Sequence, residues 1–181
     1  KYFLPSDIRK QATSLAQGKV FNKPRAEDQV AAINKRNPDL RVDAVFRPGQ
    51  TPGTLEAELQ VEDTLPVHGQ IEVNDQHTSD TTRTRLLASM SYGNLWQRDH
   101  KLTVVGILSP EDIDEVRALS ANYLMPLSGS DNKLLFYFVR SDSNVSSVVD
   151  LTLVGRTNML GANLIAPLGR KGRLQHNLLF G

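Results

Sequence analysis

The residues able to carry chemistry are few, and their spacing argues against most of it. Cysteine is absent, so thiolate catalysis, disulfides and cysteine-ligated metals are excluded. The histidines are His68, His77, His100 and His176. No two stand four residues apart and there is no HExxH, so they read as surface or loop residues and no metal site is expected. Ser130 lies in Gly129-Ser130-Asp131, a turn signature rather than the GxSxG elbow of a nucleophilic serine. No Walker loop or GxGxxG offers a phosphate cradle. The run Glu111-Asp112-Ile113-Asp114-Glu115 has the composition of a calcium site or of paired carboxylates. It lacks the spaced oxygens and glycine of a calcium loop, and reads better as a solvated loop. Ser109-Pro110-Glu111-Asp112 has the form of a short capped turn. Arg170-Lys171-Arg173 fits either anionic head groups or a solvated turn. Asn144-Val145-Ser146 matches a glycosylation sequon but carries no weight. No catalytic residue, metal or cofactor is expected. Binding, scaffolding or transport remains.

Charge and hydropathy narrow the setting. Lys+Arg is 21 and Asp+Glu is 20, a net charge of +1 over 181 residues, which argues against a nucleic-acid binder. No apolar run approaches the ~18 residues of a transmembrane helix. A transmembrane β-barrel is untouched by that test, because its strands alternate. The chain opens Lys1-Tyr2-Phe3, without Met or signal peptide, and reads as mature or internal sequence.

The elements change character near residue 65. Residues 1–64 read as a small α+β unit. Ile8, Ala12 and Leu15 share one helical face, with Gly18 as a left-handed C-terminal cap. A second helix starts around Asn22-Lys23-Pro24 and buries Ala26, Val30 and Ile33. Glu27 and Asp28 are expected in its first turn, Lys35 and Arg36 in its last, and Asn37-Pro38 stops it. Leu40, Val42, Ala44 and Phe46 then alternate with Arg41, Asp43, Val45 and Arg47. After Pro48-Gly49-Gln50-Thr51-Pro52-Gly53, Leu55, Ala57, Leu59 and Val61 alternate with acidic and amide residues, a half-buried strand signal. Two strands make a thin sheet, so a third strand is expected upstream of Lys1.

Residues 68–181 show no helical period. Strand-like segments fall at 69–74, 84–94, 100–108, 116–125, 133–140, 151–167 (interrupted by Gly155 and Gly161) and 174–180. Leu86, Ala88, Met90 and Tyr92 share one face, opposite Arg85, Ser89 and Ser91. Leu102, Val104 and Leu108 oppose Lys101 and Thr103. Leu134, Phe136 and Phe138 oppose Lys133 and Tyr137. The connections at 94–99 and 126–132 are compact, whereas 109–115 and 141–150 are strongly polar. Compact turns on one side and polar loops on the other are a barrel habit, and Tyr92, Trp96 and Tyr123 lie where an interfacial girdle would. Alternation of this kind more often builds a soluble β-sandwich, so from pattern alone both readings stand.

The two halves together resemble a family. Leu15-Ala16-Gln17-Gly18-Lys19-Val20-Phe21-Asn22, Ile33-Asn34-Lys35-Arg36-Asn37-Pro38, Val42-Asp43-Ala44-Val45-Phe46-Arg47-Pro48-Gly49, Pro52-Gly53-Thr54-Leu55 and Asp63-Thr64-Leu65-Pro66 are similar to a POTRA domain. It is the POTRA domain that precedes the barrel in two-partner secretion (TpsB) transporters, the ShlB/FhaC-type hemolysin secretion/activation proteins. His68-Gly69-Gln70-Ile71-Glu72-Val73-Asn74-Asp75, Tyr92-Gly93-Asn94-Leu95-Trp96-Gln97-Arg98-Asp99-His100 and Arg140-Ser141-Asp142-Ser143-Asn144-Val145 resemble the opening strands of that barrel.

The resemblance implies a POTRA-type α+β domain at 1–66, its first strand missing, followed at 67–181 by antiparallel N-terminal strands of an outer-membrane β-barrel in a Gram-negative bacterium. A closed barrel needs at least about eight strands, so the chain is expected to be an internal part of a larger one. The family's Val-Arg-Gly loop motif, first POTRA domain and plug helix are absent. The implied partners are an unfolded secreted exoprotein, outer-membrane lipid and, through open edges, a second copy of the chain. The implied client-binding edge is Arg41, Val42, Asp43, Ala44, Val45, Phe46 and Arg47, taking an added strand. Proline at Val45 is expected to remove a donor there. Leu86, Ala88, Met90, Leu134, Phe136 and Phe138 would face lipid, and Arg85, Ser89, Ser91 and Lys101 the lumen. The other reading is a soluble β-sandwich interaction module with an accessory α+β domain.

Overall fold

The computed structural model describes residues 1–77, 81–128, 130–148, 151–171 and 174–181, and among these the side chains outside 143–154 and 169–175. The structure is mostly antiparallel β and divides into two compact units, Lys1–Pro66 and Val67–Gly181.

In the first unit, α1 (Pro5–Gln11) and α2 (Lys23–Arg36) cover a hairpin of β1 (Leu40–Pro48) and β2 (Leu55–Asp63). The two strands pair antiparallel without a register shift, from Leu40 opposite Asp63 to Pro48 opposite Leu55. Helix α2 begins as expected: the Asn22 side chain accepts the Arg25 N–H at 3.1 Å, which satisfies one free helix-start donor. Its buried face carries Ala26 and Ile33, with Val30 half-buried. Glu27 and Asp28 lie beyond the first turn, not in it, and Glu27 instead pairs with Lys23 one turn back.

The expected helix through Ile8, Ala12 and Leu15 is interrupted. Helix α1 ends at Gln11, and Thr13–Leu15 form one 3-10 turn. Thr13 and Ser14 give the reason. The Ser14 N–H donates to Gln29 Oε1 at 2.8 Å and Gln29 Nε2 donates to Thr13 Oγ1 at 2.9 Å, bonds that compete with a continuing helix. Gly18 does adopt the left-handed conformation (φ 80°), three residues past that turn. Phe3, Ile8, Ala12, Ile33, Leu40 and Val42 form one core, with Leu15, Val30, Leu59 and Val61 packed against it.

In the second unit seven strands form one sheet in sequence order: β3 (Val67–Asn74), β4 (Arg85–Leu95), β5 (His100–Leu108), β6 (Val116–Pro126), β7 (Lys133–Val148), β8 (Leu151–Lys171) and β9 (Leu174–Phe180). Every pair is antiparallel, and β3 and β9 are the edges. Among the described residues these strands form one sheet, not the two of a sandwich. The polar stretch 141–150 is not a loop throughout: β7 runs on to Val148, paired with β8. Polar side chains do not end a strand whose peptide groups keep their ladder partners. The glycines do not divide β8 either. Gly155 lies at a register shift, with φ 81°. Gly161 stands opposite Tyr137, where an added Cβ would fall 2.2 Å from the ring. Glycine at 161 is therefore the space the tyrosine occupies.

Asp63 ties the start of the first unit to the end of β2. Its carboxylate accepts the N–H of Tyr2 and, at 3.1 Å, that of Phe3. Burial opposes its ionisation, but these N–H donors outweigh it and hold its pKa below the usual 3.8. A depressed carboxyl pKa stabilises the fold fully above the ordinary aspartate range and loses that contribution as pH falls through the folded-state value. The helical circular-dichroism signal of the full chain, followed in urea over roughly pH 5 to 2, should therefore show the first unit weakening with acid. Asp63→Asn should flatten that slope, and an unchanged slope would refute the link.

Candidate functional site

Register turns the sheet's alternation into a surface. Four successive rows of paired residues lie across the outward face of β3–β8. Nearest the end where the chain enters this unit, the row is Val67, Tyr92, Leu102, Tyr123, Phe136 and Ala162. The next is Gly69, Met90, Val104, Ala121, Phe138 and Leu160. The third is Ile71, Ala88, Gly106, Leu119, Arg140 and Asn158, and the fourth Val73, Leu86, Leu108, Arg117, Asp142 and Arg156. The first two rows hold no charge. Polar residues enter at β7 in the third row and at β6 in the fourth. This apolar face is open: Ile71 is 76% exposed, Met90 60% and Leu160 82%.

The distal margin of the apolar band therefore slants. From β5 to β8 it descends by about two rows, ~13 Å along the strands, over three strand spacings of roughly 14 Å in all. That slope is about 40–45°, close to the ~35–45° by which strands tilt in a membrane barrel. The proximal margin slants the same way. The β4–β5 turn already begins at Asn94, whereas on β8 the apolar residues continue through Leu164 and Ala166 to the exposed Leu168. A band with parallel, slanted margins is the trace that a flat apolar slab leaves on tilted strands.

The proximal row is aromatic. His100 Nδ1 and the Tyr123 hydroxyl share a hydrogen bond at 2.5 Å, and their rings meet edge-on at 5.5 Å. Phe136 packs beside Tyr123 at 6.5 Å. Trp96, in the neighbouring turn, is 73% exposed.

The inward face differs. Leu86, Ala88, Met90, Leu134, Phe136 and Phe138 lie outward by register, and Arg85, Ser89, Ser91 and Lys101 inward. The inward face is not uniformly polar, a feature single-strand patterns missed. Leu87 packs on Ile107, Val116 and Ala118. Among the described residues of this unit no second β layer covers that face, and these side chains pack on one another across neighbouring strands.

Polar side chains close the distal end. Glu115 accepts the Thr82 N–H on both carboxylate oxygens, at 3.0 and 2.9 Å, and the Thr82 hydroxyl as well. Those bonds lower the Glu115 pKa. Glu111 accepts the Arg83 N–H at 3.2 Å and the Thr84 hydroxyl at 2.7 Å. Buried Arg85 donates to the Thr82 carbonyl at 2.6 Å and to Thr81 Oγ1 at 2.7 Å. The acidic run is thus not merely solvated: two of its carboxylates hold the segment before β4, while Asp112 accepts the Asp114 N–H within its own turn. No cluster able to hold a metal occurs among the described residues. Ser130 accepts the Asn132 N–H within a turn, and His77 faces Asp75. Gly129, Arg173 and the side chains of Asn144, Val145, Ser146, Arg170 and Lys171 lie outside the described residues.

In the first unit, β1 pairs only with β2 among the described strands. Its other edge is partly occupied. The Asn34 side chain accepts the Val42 N–H at 2.7 Å and donates to the Val42 carbonyl at 2.9 Å. Val42 therefore turns its peptide groups away from β2, and by the two-residue period so do Ala44 and Phe46. Arg41, Asp43, Val45 and Arg47 point theirs at β2. Proline at Val45 would thus break the hairpin, not the free edge as the sequence suggested, and the informative position is Ala44. The side chain of Val42 is in the core, and the Phe46 ring packs tilted against that of Phe21, centroids 4.7 Å apart.

No protein-family model matches the chain, and no curated protein does. Among solved structures, CdiB from Escherichia coli matches with a TM-score of 0.64 at 20% identity, over 97% of this chain. The chain spans 35% of that protein's length. The likeness is one of fold, and the fold is TpsB-like.

A charge at the centre of the band should cost more than one at its margin. Phe136 is the middle of the apolar stretch Leu134–Phe138, whereas Leu119 sits at the distal margin on β6. If the band meets hydrocarbon, Phe136→Arg should cost about 2–4 kcal/mol of folding into lipid vesicles and Leu119→Arg about 0–1 kcal/mol. Equal costs in urea titrations of the vesicle-folded chain would mean that the band does not meet hydrocarbon.

Proposed function

We propose that this chain is part of an outer-membrane polypeptide transporter that recognises and exports or activates a secreted partner protein, of hemolysin or adhesin type, by two-partner secretion. The observation that carries the reading is the slanted apolar band on a sheet of TpsB-like fold. A soluble module would have to cover Ile71, Met90 and Leu160; hydrocarbon covers them at no cost in unpaired backbone, because the ladder already satisfies the peptide groups. No helix among the described residues is long and apolar enough to cross a membrane, so strands would do the crossing. Residues 67–181 would supply the opening strands of the barrel, with Tyr92 and Trp96 at the periplasmic interface, where amphipathic rings settle, and Tyr123, beside Phe136, further into the band. The inward face would line the lumen. The exposed edges β3 and β9 would pair with further strands of the barrel or, in this stretch alone, with a second copy.

Residues 1–66 would be the periplasmic POTRA-type domain. An unfolded exoprotein would add a strand along β1, bonding to the free peptide groups of Ala44 and Phe46. Asn34 occupies Val42, so the first contacts would fall at the Phe46 end. No step of this needs a catalytic group, metal or cofactor.

Membrane insertion is tested by flotation of the full chain with phosphatidylcholine vesicles. The chain should float, and should need detergent to stay monodisperse without them; a monodisperse chain in plain buffer that does not float overturns the reading. Client recognition is tested by fluorescence anisotropy with a labelled, unfolded, carboxymethylated polypeptide. Ala44→Pro removes one free-edge donor and should weaken binding about three- to tenfold, the worth of one main-chain hydrogen bond. Unchanged affinity with intact helical signal would remove β1 as the docking edge.

A further inference from the structure

The geometry points to a seat for the phosphate of a lipid headgroup on the outward face of β6–β8, built from Arg117, Arg140 and Arg156. The inference rests on the membrane reading above and deepens it by naming the lipid chemistry that face selects. In the third and fourth rows the three arginines replace the apolar residues that fill the same rows on β3–β5. Arg117 stands immediately past Leu119 and Arg140 immediately past Phe138 on the outward face, and Arg156 stands one outward position further, past Leu160 and Asn158. They therefore sit at the depth where hydrocarbon gives way to headgroups.

The cluster is arranged as well as concentrated. Asp142 lies between two of the arginines, 3.6 Å from Arg117 Nη2 and 2.9 Å from Arg156 Nε. One carboxylate against three guanidiniums leaves a net charge of +2. Asp142 occupies one nitrogen on each of its two partners, and the remaining N–H groups of both stay available to an oxyanion. Arg140 has no ion pair among the described residues and stands exposed beside them. Together with Ser141, Asp142 and Asn158 the arginines line a shallow recess of about 280 Å³. Planar guanidiniums suit phosphate because each can offer two parallel donors.

The neighbouring band selects lipid over free anion. In water, exposed arginines hold inorganic phosphate weakly. A lipid whose chains lie along Leu119, Phe138 and Leu160 brings its phosphate to the arginines as a second, intramolecular contact, and the Asp142 charge that weakens a free anion is offset by that tether.

The test uses the full chain in detergent micelles, with native mass spectrometry counting bound lipid during titration with phosphatidate or phosphatidylcholine. Wild type should prefer phosphatidate, and millimolar inorganic phosphate should not displace it. Arg140→Gln, which breaks no ion pair seen here, should weaken phosphatidate binding about fivefold, and Arg117→Gln/Arg140→Gln/Arg156→Gln about 100-fold, at roughly fivefold per arginine. The corresponding triple lysine variant keeps the charge and should retain most of the preference. If Arg140→Gln and the triple glutamine variant bind as wild type does, the seat is refuted. If inorganic phosphate competes, the site takes free anions and the lipid assignment fails. Flotation with neutral phosphatidylcholine separates the two levels. A chain that floats but shows no phosphatidate preference overturns only the seat; a chain that does not float overturns the membrane reading and the seat with it.

Discussion

The structure of the larger unit depends on a continuous antiparallel sheet whose register shifts only near strand ends and within the β7–β8 extension. Once each inner strand has its peptide groups paired on both sides, the side chains have only two directions left, and register decides which residues become neighbours. The outward rows are made this way. Tyr92, Leu102 and Tyr123 are far apart in sequence and adjacent in space because β4, β5 and β6 pair without slipping over these residues. A slip of one residue would send Phe136 and Phe138 inward and Tyr137 outward. The ladder also makes an apolar surface tolerable to hydrocarbon, since no peptide group within it needs water.

The ends of the sheet use different physics from its middle. At the distal end, Glu111 and Glu115 reach from one loop to the backbone of Thr82 and Arg83, and Arg85 returns bonds to the same segment. These contacts hold a connection in place without adding apolar area to it. Asn34 does the equivalent in the first unit, completing the hydrogen bonds of Val42 on the side where no described strand pairs. In both places an amide, carboxylate or guanidinium satisfies backbone groups that no strand pairs among the described residues.

Much of this was legible in the sequence, and the reason lies in period. The 3.6-residue spacing of Ala26, Val30 and Ile33 marked α2, and the two-residue alternation of Leu134, Phe136 and Phe138 marked the outward side of β7. The break after Gln11 was not legible, because it depends on Gln29 reaching Thr13 and Ser14 from another element. The continuation of β7 past Arg140 was hidden by its polarity. Leu87 and Ile107 share an inward patch only because the strands pair, so neither strand alone announces it. The slant of the band is invisible to any one strand: each supplies a single point on the margin, and the line appears only when register joins Leu108, Arg117 and Arg140. Arg117 and Arg140 could thus be read as ordinary surface charges from sequence, while their common position with Arg156 could not be read at all.

The β4–β5 turn shows how far local preference yields to this arrangement. Asn94, Trp96, Gln97 and Asp99 all have φ between 57° and 61°. The left-handed region costs a non-glycine residue about 1–2 kcal/mol, least for Asn and Asp. Asn94 offsets part of that: its Nδ2 donates to Gln97 Oε1 at 3.0 Å and its Oδ1 accepts the Asp99 N–H at 3.1 Å, while the Gln97 N–H closes on the Asn94 carbonyl at 3.1 Å. Glycine at Trp96 or Gln97 would relieve the backbone. Glycine would also remove the indole that this turn holds, 73% exposed, next to the aromatic row of Tyr92, Tyr123 and Phe136. A turn that keeps a tryptophan in an unfavourable conformation, at the margin of an apolar band, is explained if the tryptophan has an interface to occupy. In plain water only the Asn94 hydrogen bonds stand against that backbone cost, and they do not account for the tryptophan.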